Sequence, residues 1–393
     1  MGLTIIFLII LFWQSSVLTR QRDELFLNTS MIEQQLFFEL IRVAIGTQDT
    51  LLRPPSAKEW QIVYDMAKKQ SLVGICFVGI QKLVDSEKED YCGMGEMQYL
   101  TWMGMTAKIQ QRNDVMNGYT AKTLEYFRSK GFPCTILKGQ GIARLYGDLA
   151  GLRQSGDVDV WVNCSRDELL ALSKREHGKV EGLNNMYHCH YPIFDDCEVE
   201  AHFLPATIHS PFKDRAFKKF CKMYVPQICD DVPSMAFNRV YIMLHGFHHL
   251  VGHGCGLRQL LDYYFVLKQG FSEEERIDTM MWVERLGMKR YAPAMMWVME
   301  EVFGLEERYL LCGPNEEDGR FMLDEVMEIG NMGHGDIRYD RSRLNSAFGR
   351  FVHNLKRDWH MLRISQSHAL WDPVMDVYQF VWKKYQTWKW NKM

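Results

Sequence analysis

The sequence predicts an α/β (α+β) fold, a small strand-bearing core set between helical lobes. Three observations predict it. Short apolar runs rich in β-branched residues, punctuated by turn residues, crowd between about 134 and 203. Apolar positions recur at helical spacing before 118 and again from about Ser234 onward. At 393 residues, 47% of them hydrophobic, the chain can also enclose a large core around several cooperating units.

The chain opens on a run, Leu3 to Trp13, that is almost unbroken apolar. It is about as long as a signal-peptide core and too short to span a bilayer comfortably. No Lys or Arg precedes it, and no Ala-x-Ala-like site follows before Arg20 and Arg22. Residues 1–30 are therefore read as an extension ahead of a true start at Met31; the alternative is a membrane association through residues 3–13. Residues 31–118 form a helical lobe. Ile32, Leu36, Leu40 and Ala44 keep helical spacing, as do Trp60, Val63, Ala67, Val73 and Ile80, with breaks at Pro54-Pro55 and from Asp85 to Gly95. A helix at roughly Asn113 to Lys130 leads into a core at 119–205.

In that core a strand, Cys134 to Leu137, ends at Lys138-Gly139, a short helix follows, and a second strand carries Asp157 and Asp159. Strand side chains alternate faces, so the two carboxylates project together while Val158, Val160 and Val162 enter the interior. Two carboxylates aimed at one point suit a hard divalent cation, and Mg²⁺ held this way also takes oxygens from a substrate phosphate. With 49 acidic residues in the chain, the pair alone is weak evidence; the Gly-bearing turn, Arg153 and Ser155 upstream, and the β-branched strand give it its context. A hairpin follows, with Tyr187 to Phe194 and Glu198 to Phe203 flanking Asp195-Asp196. On its second run Glu198, Glu200 and His202 share a face opposite Val199, Ala201 and Phe203. Spacing alone leaves Glu198 and Glu200 equal candidates for a third carboxylate.

On these residues the chain resembles the polymerase-β-like nucleotidyltransferase superfamily: a strand, a Gly turn opening a helix, and an Asp-x-Asp strand. Lys138-Gly139 in the turn and Arg153, Ser155, Asp157 and Asp159 at alternate positions bring it nearest to the bacterial uncharacterised nucleotidyltransferase family. It is also similar to abortive-infection toxin nucleotidyltransferases. The resemblance is good over about 120–205 and loose in the flanking lobes, and Gln140 stands where many members carry a second Gly or Ser. It implies a small mixed-sheet nucleotidyltransferase core that moves an NMP from an NTP, ATP included, to an acceptor hydroxyl with release of pyrophosphate. Asp157 and Asp159 would hold two Mg²⁺ ions, with Mn²⁺ able to substitute. Glu200, in a Glu200-Ala201-His202 match to the family's acidic-x-His strand, would complete the acceptor-side ion, with Glu198 as the fallback. Lys138, Gly139 and Gln140 would receive the β and γ phosphates, and Arg153 and Ser155 would steady the loop or touch phosphate. The acceptor, a sugar, an antibiotic, a protein side chain or an RNA end, is specified by no motif. Because Gln140 alters the turn, a nucleotide-binding protein of the same fold without turnover is the alternative reading.

From 206 to 393 the pattern is helical. Tyr241 to Leu267 carries His245, His248, His249 and His253, then Arg258 and Asp262. Histidines one turn apart permit metal binding, which keeps a His-dependent metal hydrolase as a third reading. Neither the zincin spacing nor a His-Asp pair is present, and the resemblance assigns this segment to a helical substrate lobe. Arg258 and Asp262, one turn apart, form an intrahelical pair or leave Arg258 to face phosphate. The tail from Arg338 onward interleaves Trp359, Trp371, Trp382, Trp388 and Trp390 with Lys and Arg. The expectation is an amphipathic helix that docks its aromatic side on the body.

A formal net charge of −3 and the lack of a dense basic stripe indicate no obligatory nucleic acid partner. The ten cysteines include no Cys-x-x-Cys, which argues against a zinc ribbon and fits reduced thiols in a cytoplasmic protein.

Overall fold

The computed structural model describes residues 31–86, 93–178, 185–252, 254–331 and 347–391. The apolar segment 3–13 and His253 lie outside them. The fold is α+β, as expected. Residues 31–45 form helix α1, followed by α2 (Ala57–Lys69), α3 (Val73–Asp85) and α4 (Glu96–Ser129). Helix α2 starts where it does because the Ser56 hydroxyl accepts from Glu59 N–H while the Glu59 carboxylate takes the Ser56 N–H, a reciprocal cap worth about 1 kcal/mol.

Helix α4 runs unbroken through the expected junction at 118, and its halves serve different interiors. Trp102 and Ile109 join the large core of the helical lobes. Met116, Leu124 and Phe127 join the core beneath the sheet.

The sheet has four strands, β1 (Cys134–Ile136), β2 (Val158–Val162), β3 (His188–His190) and β4 (Val199–His202), in the order β1-β2-β4-β3. It is mixed: β2 runs antiparallel to β1 and parallel to β4. The expected hairpin forms as the antiparallel pair β3–β4, with strands shorter than the apolar runs that signalled them. Between β1 and β2 lie the one-turn helix α5 (Gln140–Ala143) and a 3₁₀ stretch, Arg144–Leu152. Helix α6 (Arg166–His177) covers one sheet face, where Leu169, Leu170 and Leu172 meet Val158, Val160 and Val162. On the other face Trp161 stacks on Phe237, ring centroids 5.5 Å apart. Asp157 and Asp159 share that second face by alternation.

The C-terminal lobe comprises α7 (Pro211–Tyr224), α8 (Met235–Val251), α9 (Leu257–Lys268), α10 (Glu273–Arg285), α11 (Tyr291–Phe303), α12 (Glu316–Ile329), α13 (Ala347–Met361) and α14 (Gln366–Asn391). Helix α8 is buried almost all round. Gly246 does not interrupt it: the Tyr291 hydroxyl of α11 lies 3.0 Å from where a Cβ would stand, so the helix keeps a small residue for close packing.

The tail corrects the expectation made for it. Trp371 packs edge-on against Phe212 and Trp382 lies under Arg166, but Trp359, Tyr385 and Trp388 are exposed. The inward residues of α14 are polar, among them His368, Asp372, Asp376 and Gln379. The surface that α14 covers is a polar cleft, so its polar side finds partners inside and part of its aromatic side remains out. No described helix is long and apolar enough to cross a membrane, and every described cysteine is a free thiol.

Candidate active site

Strand register builds the site. In the parallel β2–β4 pair Asp159 stands opposite Glu200, and Asp157, one residue before β2, points the same way as Asp159. One carboxylate oxygen from each of Asp157, Asp159 and Glu200 lies within 4.8 Å of the other two. Glu198 is exposed and pairs instead with His190 Nδ1, so the geometry groups Glu200, not Glu198, with the aspartates.

Leu137 N–H donates to the Asp159 carbonyl at 3.0 Å, which pins the end of β1 beside the acidic pair. The next residue, Lys138, places Nζ 3.0 Å from Asp159 Oδ1. Gly139 then takes φ 58° and ψ −118°, a combination open essentially to Gly. That turn is what brings Lys138 over the carboxylates. Gln140 turns away from them: its Nε2 donates to Asn117 Oδ1 at 2.6 Å and its Oε1 accepts from the Ser155 hydroxyl. It lines a smaller pocket behind the turn and ties the loop before β2 to α4.

Arg153 is buried and makes a two-pronged bond to Asp262 of α9, Nε to Oδ1 at 2.6 Å and Nη2 to Oδ2 at 2.7 Å, with the Tyr146 hydroxyl donating to the same carboxylate. Asp262 is therefore tied to the core loop. Arg258, one turn earlier, donates from Nη1 to the Gln154 carbonyl and lines the cleft.

Histidines frame the carboxylates. His202 Nε2 lies 3.1 Å from Asp159 Oδ1 and 3.4 Å from Glu200 Oε2. Burial would depress its pKa, but these two carboxylates outweigh burial and raise it. His188 Nε2 lies 3.6 Å from Glu200 Oε1, and burial, with His202 and His190 nearby, lowers its pKa to about 3. Asp157 is shifted up, first by the charge of Asp159 and then by burial, with Lys138 and Arg258 opposing. For Glu200, burial acts upward, yet the bond to His202 and the charge of Lys138 hold its pKa low. Crowded carboxylates with one repelled member are what a bound cation relieves. The second oxygen of Asp159 is enclosed without a hydrogen-bond partner among the described residues.

These residues open on a cleft of about 890 Å³ between the sheet and the C-terminal helices, a size that holds a nucleotide-scale ligand. Tyr241, His245 and Arg258 line the opposite wall. The rings of His245 and His249 meet edge to face at 4.4 Å, but among the described residues they belong to no group of three or more metal-ligating side chains. Burial pushes the His245 pKa well down. Sequence reasoning passed over His188, although His188 and His190 flanking Cys189 on one strand was a usable signal. It also passed over Asp358, His368 and Asp372 of the tail, which line the far end of the cleft.

A family model described as an uncharacterised nucleotidyltransferase matches residues 56–304, more than half of the chain, and the protein belongs to that family. No curated protein and no solved structure matches it.

Proposed function

We propose that this nucleotidyltransferase-family protein moves a nucleoside monophosphate from an NTP to an acceptor hydroxyl, with Asp157, Asp159 and Glu200 as its metal-holding carboxylates. The observation that carries the reading is their convergence in a nucleotide-sized cleft, at a strand register that leaves an Asp159 oxygen unpartnered. An all-oxygen set of this kind suits Mg²⁺ or Mn²⁺. Mg²⁺ held there would lower the acceptor hydroxyl pKa and neutralise charge on the attacking and leaving oxygens.

The chain's own groups do the rest. His202 fixes Asp159 and Glu200 in one orientation through its two contacts. Lys138 neutralises Asp159; a cation held by the carboxylates would take over that role and leave the Lys138 ammonium for the β and γ phosphates across the Gly139 turn. Arg258 supplies a second positive group on the opposite wall. Gln140, Ser155 and Arg153 act on the loop, holding it to α4 and α9. In the transfer the acceptor oxygen gives up its proton to water and bonds to the α-phosphorus as the bond to the leaving pyrophosphate breaks.

Incubation with each α-labelled NTP, Mg²⁺ and cell extract should label a product and release pyrophosphate. A second reading, nucleotide binding without transfer, draws on the Lys138–Asp159 contact, because a lysine already offsets part of the acidic charge. NTP binding with no label transferred and no pyrophosphate released would select it.

A further inference from the structure

The far end of the cleft holds a second convergence of ligating atoms, chemically unlike the first. His209 precedes α7, while His368 and Asp372 lie one turn apart on α14. One ligand atom from each lies within 4.8 Å of the other two. His209 Nδ1 contacts Asp372 Oδ1, and His368 Nε2 lies 3.6 Å from the same oxygen. The two imidazoles stack with centroids 5.5 Å apart.

A separate observation points to a ligand. Asp358 of α13 is 3% exposed, its Oδ1 lies 4.0 Å from His368 Nε2, and its Oδ2 is enclosed with no hydrogen-bond partner among the described residues. A buried carboxylate oxygen without a partner costs folding free energy unless a proton or a cation meets it, and burial and Asp372 beside it both favour the proton when no cation is bound. Neighbouring Arg357 sends its guanidinium to the carbonyls of Leu250 and Val251, and Asp376 is held by Asn354.

We propose that His209, His368 and Asp372, joined by Asp358, form a site for a Zn²⁺-class divalent cation that clamps α13 and α14 over the cleft. Two imidazole nitrogens with carboxylate oxygens suit a borderline transition-metal ion in near-tetrahedral coordination, whereas Mg²⁺ favours oxygen ligands. The lone pairs now engaged between His209 and Asp372 are the ones the cation takes. Three segments of chain contribute, so binding joins the tail to the body and sets how far that end of the cleft opens. The site is independent of nucleotidyl transfer at Asp157, Asp159 and Glu200.

The test is calorimetric titration of the metal-stripped full-length chain with Zn²⁺ in the presence of excess Mg²⁺. One Zn²⁺ per chain should bind, and Glu200→Gln should leave that binding unchanged. His368→Asn and His209→Asn, tested separately with circular dichroism as the folding control, should each weaken it by at least the roughly 10–100-fold that loss of an outer metal partner costs. Zn²⁺ should also slow amide exchange across α14 in the wild type and not in His209→Asn, which sits in a loop and keeps the helices intact. No bound Zn²⁺, retention of full affinity in both histidine variants, or loss of binding in Glu200→Gln would overturn the proposal; the last result would place the ion between His188, Glu200 and His202 instead.

Discussion

The two walls of the cleft are built by different rules. On the sheet wall, Asp157 and Asp159 are two residues apart on one strand, and Glu200 is set opposite by a backbone ladder. On the helical wall, His209 meets Asp372 across 163 positions of sequence, through the docking of a helix whose outer side is exposed. A strand ladder fixes side-chain direction to within one register step, because a slip of one residue reverses every face. A docked helix fixes it only as firmly as the contacts beneath it. The sheet wall should therefore hold its geometry when the tail is disturbed, while the tail depends on the body it covers.

The largest expected effect falls on the sheet wall. Asp157→Asn, Asp159→Asn and Glu200→Gln should each reduce nucleotide turnover by on the order of 10²–10³ or more, the scale seen when a preorganised electrostatic group is removed. In Asp157→Asn the melting temperature should hold or rise, since Asp159 repels the Asp157 carboxylate in the native protein. Turnover unchanged in all three variants, read by pyrophosphate release, would end the carboxylate model.

Next comes the joint between the walls, the buried Arg153–Asp262 pair. Arg153→Ala should cost about 3–5 kcal/mol in chemical denaturation, because it strands a buried carboxylate, whereas a paired Arg153→Met, Asp262→Leu replacement should recover much of that. If the double variant were no more stable than the single one, the charge pair would not be what joins loop and helix.

His202→Gln should have a smaller effect, weakening Mn²⁺ binding by roughly 10–100-fold, the scale of losing a partner to a metal's ligands, if Asp159 and Glu200 hold the metal as proposed. Its signature is in pH. The folded-state pKa of His202 lies above its ordinary value of about 6.5. Its contribution to stability is thus fully present below about pH 6.5 and lost as pH rises through the folded value. The melting gap between wild type and His202→Gln should narrow from pH 6 to pH 9, and a gap of constant width would remove the histidine–carboxylate contacts from the account.

The smallest effect is expected at the rim. Glu198→Gln removes an exposed pair with His190, worth about 1 kcal/mol or less, and should leave turnover near that of the wild type. A loss matching that of Glu200→Gln would mean that β4 sits one repeat away from the register described.

Much of the sheet wall was legible in the sequence. The Asp-x-Asp spacing, the Lys138-Gly139 turn and the hairpin around Asp195-Asp196 are local patterns, and local backbone preference turns them into geometry without help from distant residues. The choice of Glu200 over Glu198 was not local: both lie on one face, and only the pairing of β4 with β2 separates them. Gln140 reads in sequence as an altered phosphate turn, yet it faces Asn117 and Ser155, because where a side chain points after a one-turn helix depends on what packs behind it.

The tail shows the same division most sharply. Its amphipathic pattern determined that a helix forms, since periodicity is a property of the segment alone. Which side faces in was decided by the surface beneath: a cleft lined with polar groups pairs with Asp372 and His368 better than with tryptophan, and hydrophobic burial prevails only where the partner surface is itself apolar. The sequence by itself determined the class of fold, the acidic strand and one set of candidate ligating residues, Asp157, Asp159 and Glu200 or Glu198. Tertiary structure alone decided which of them meet, because contacts between segments far apart in the chain are set by packing and register that no local pattern encodes.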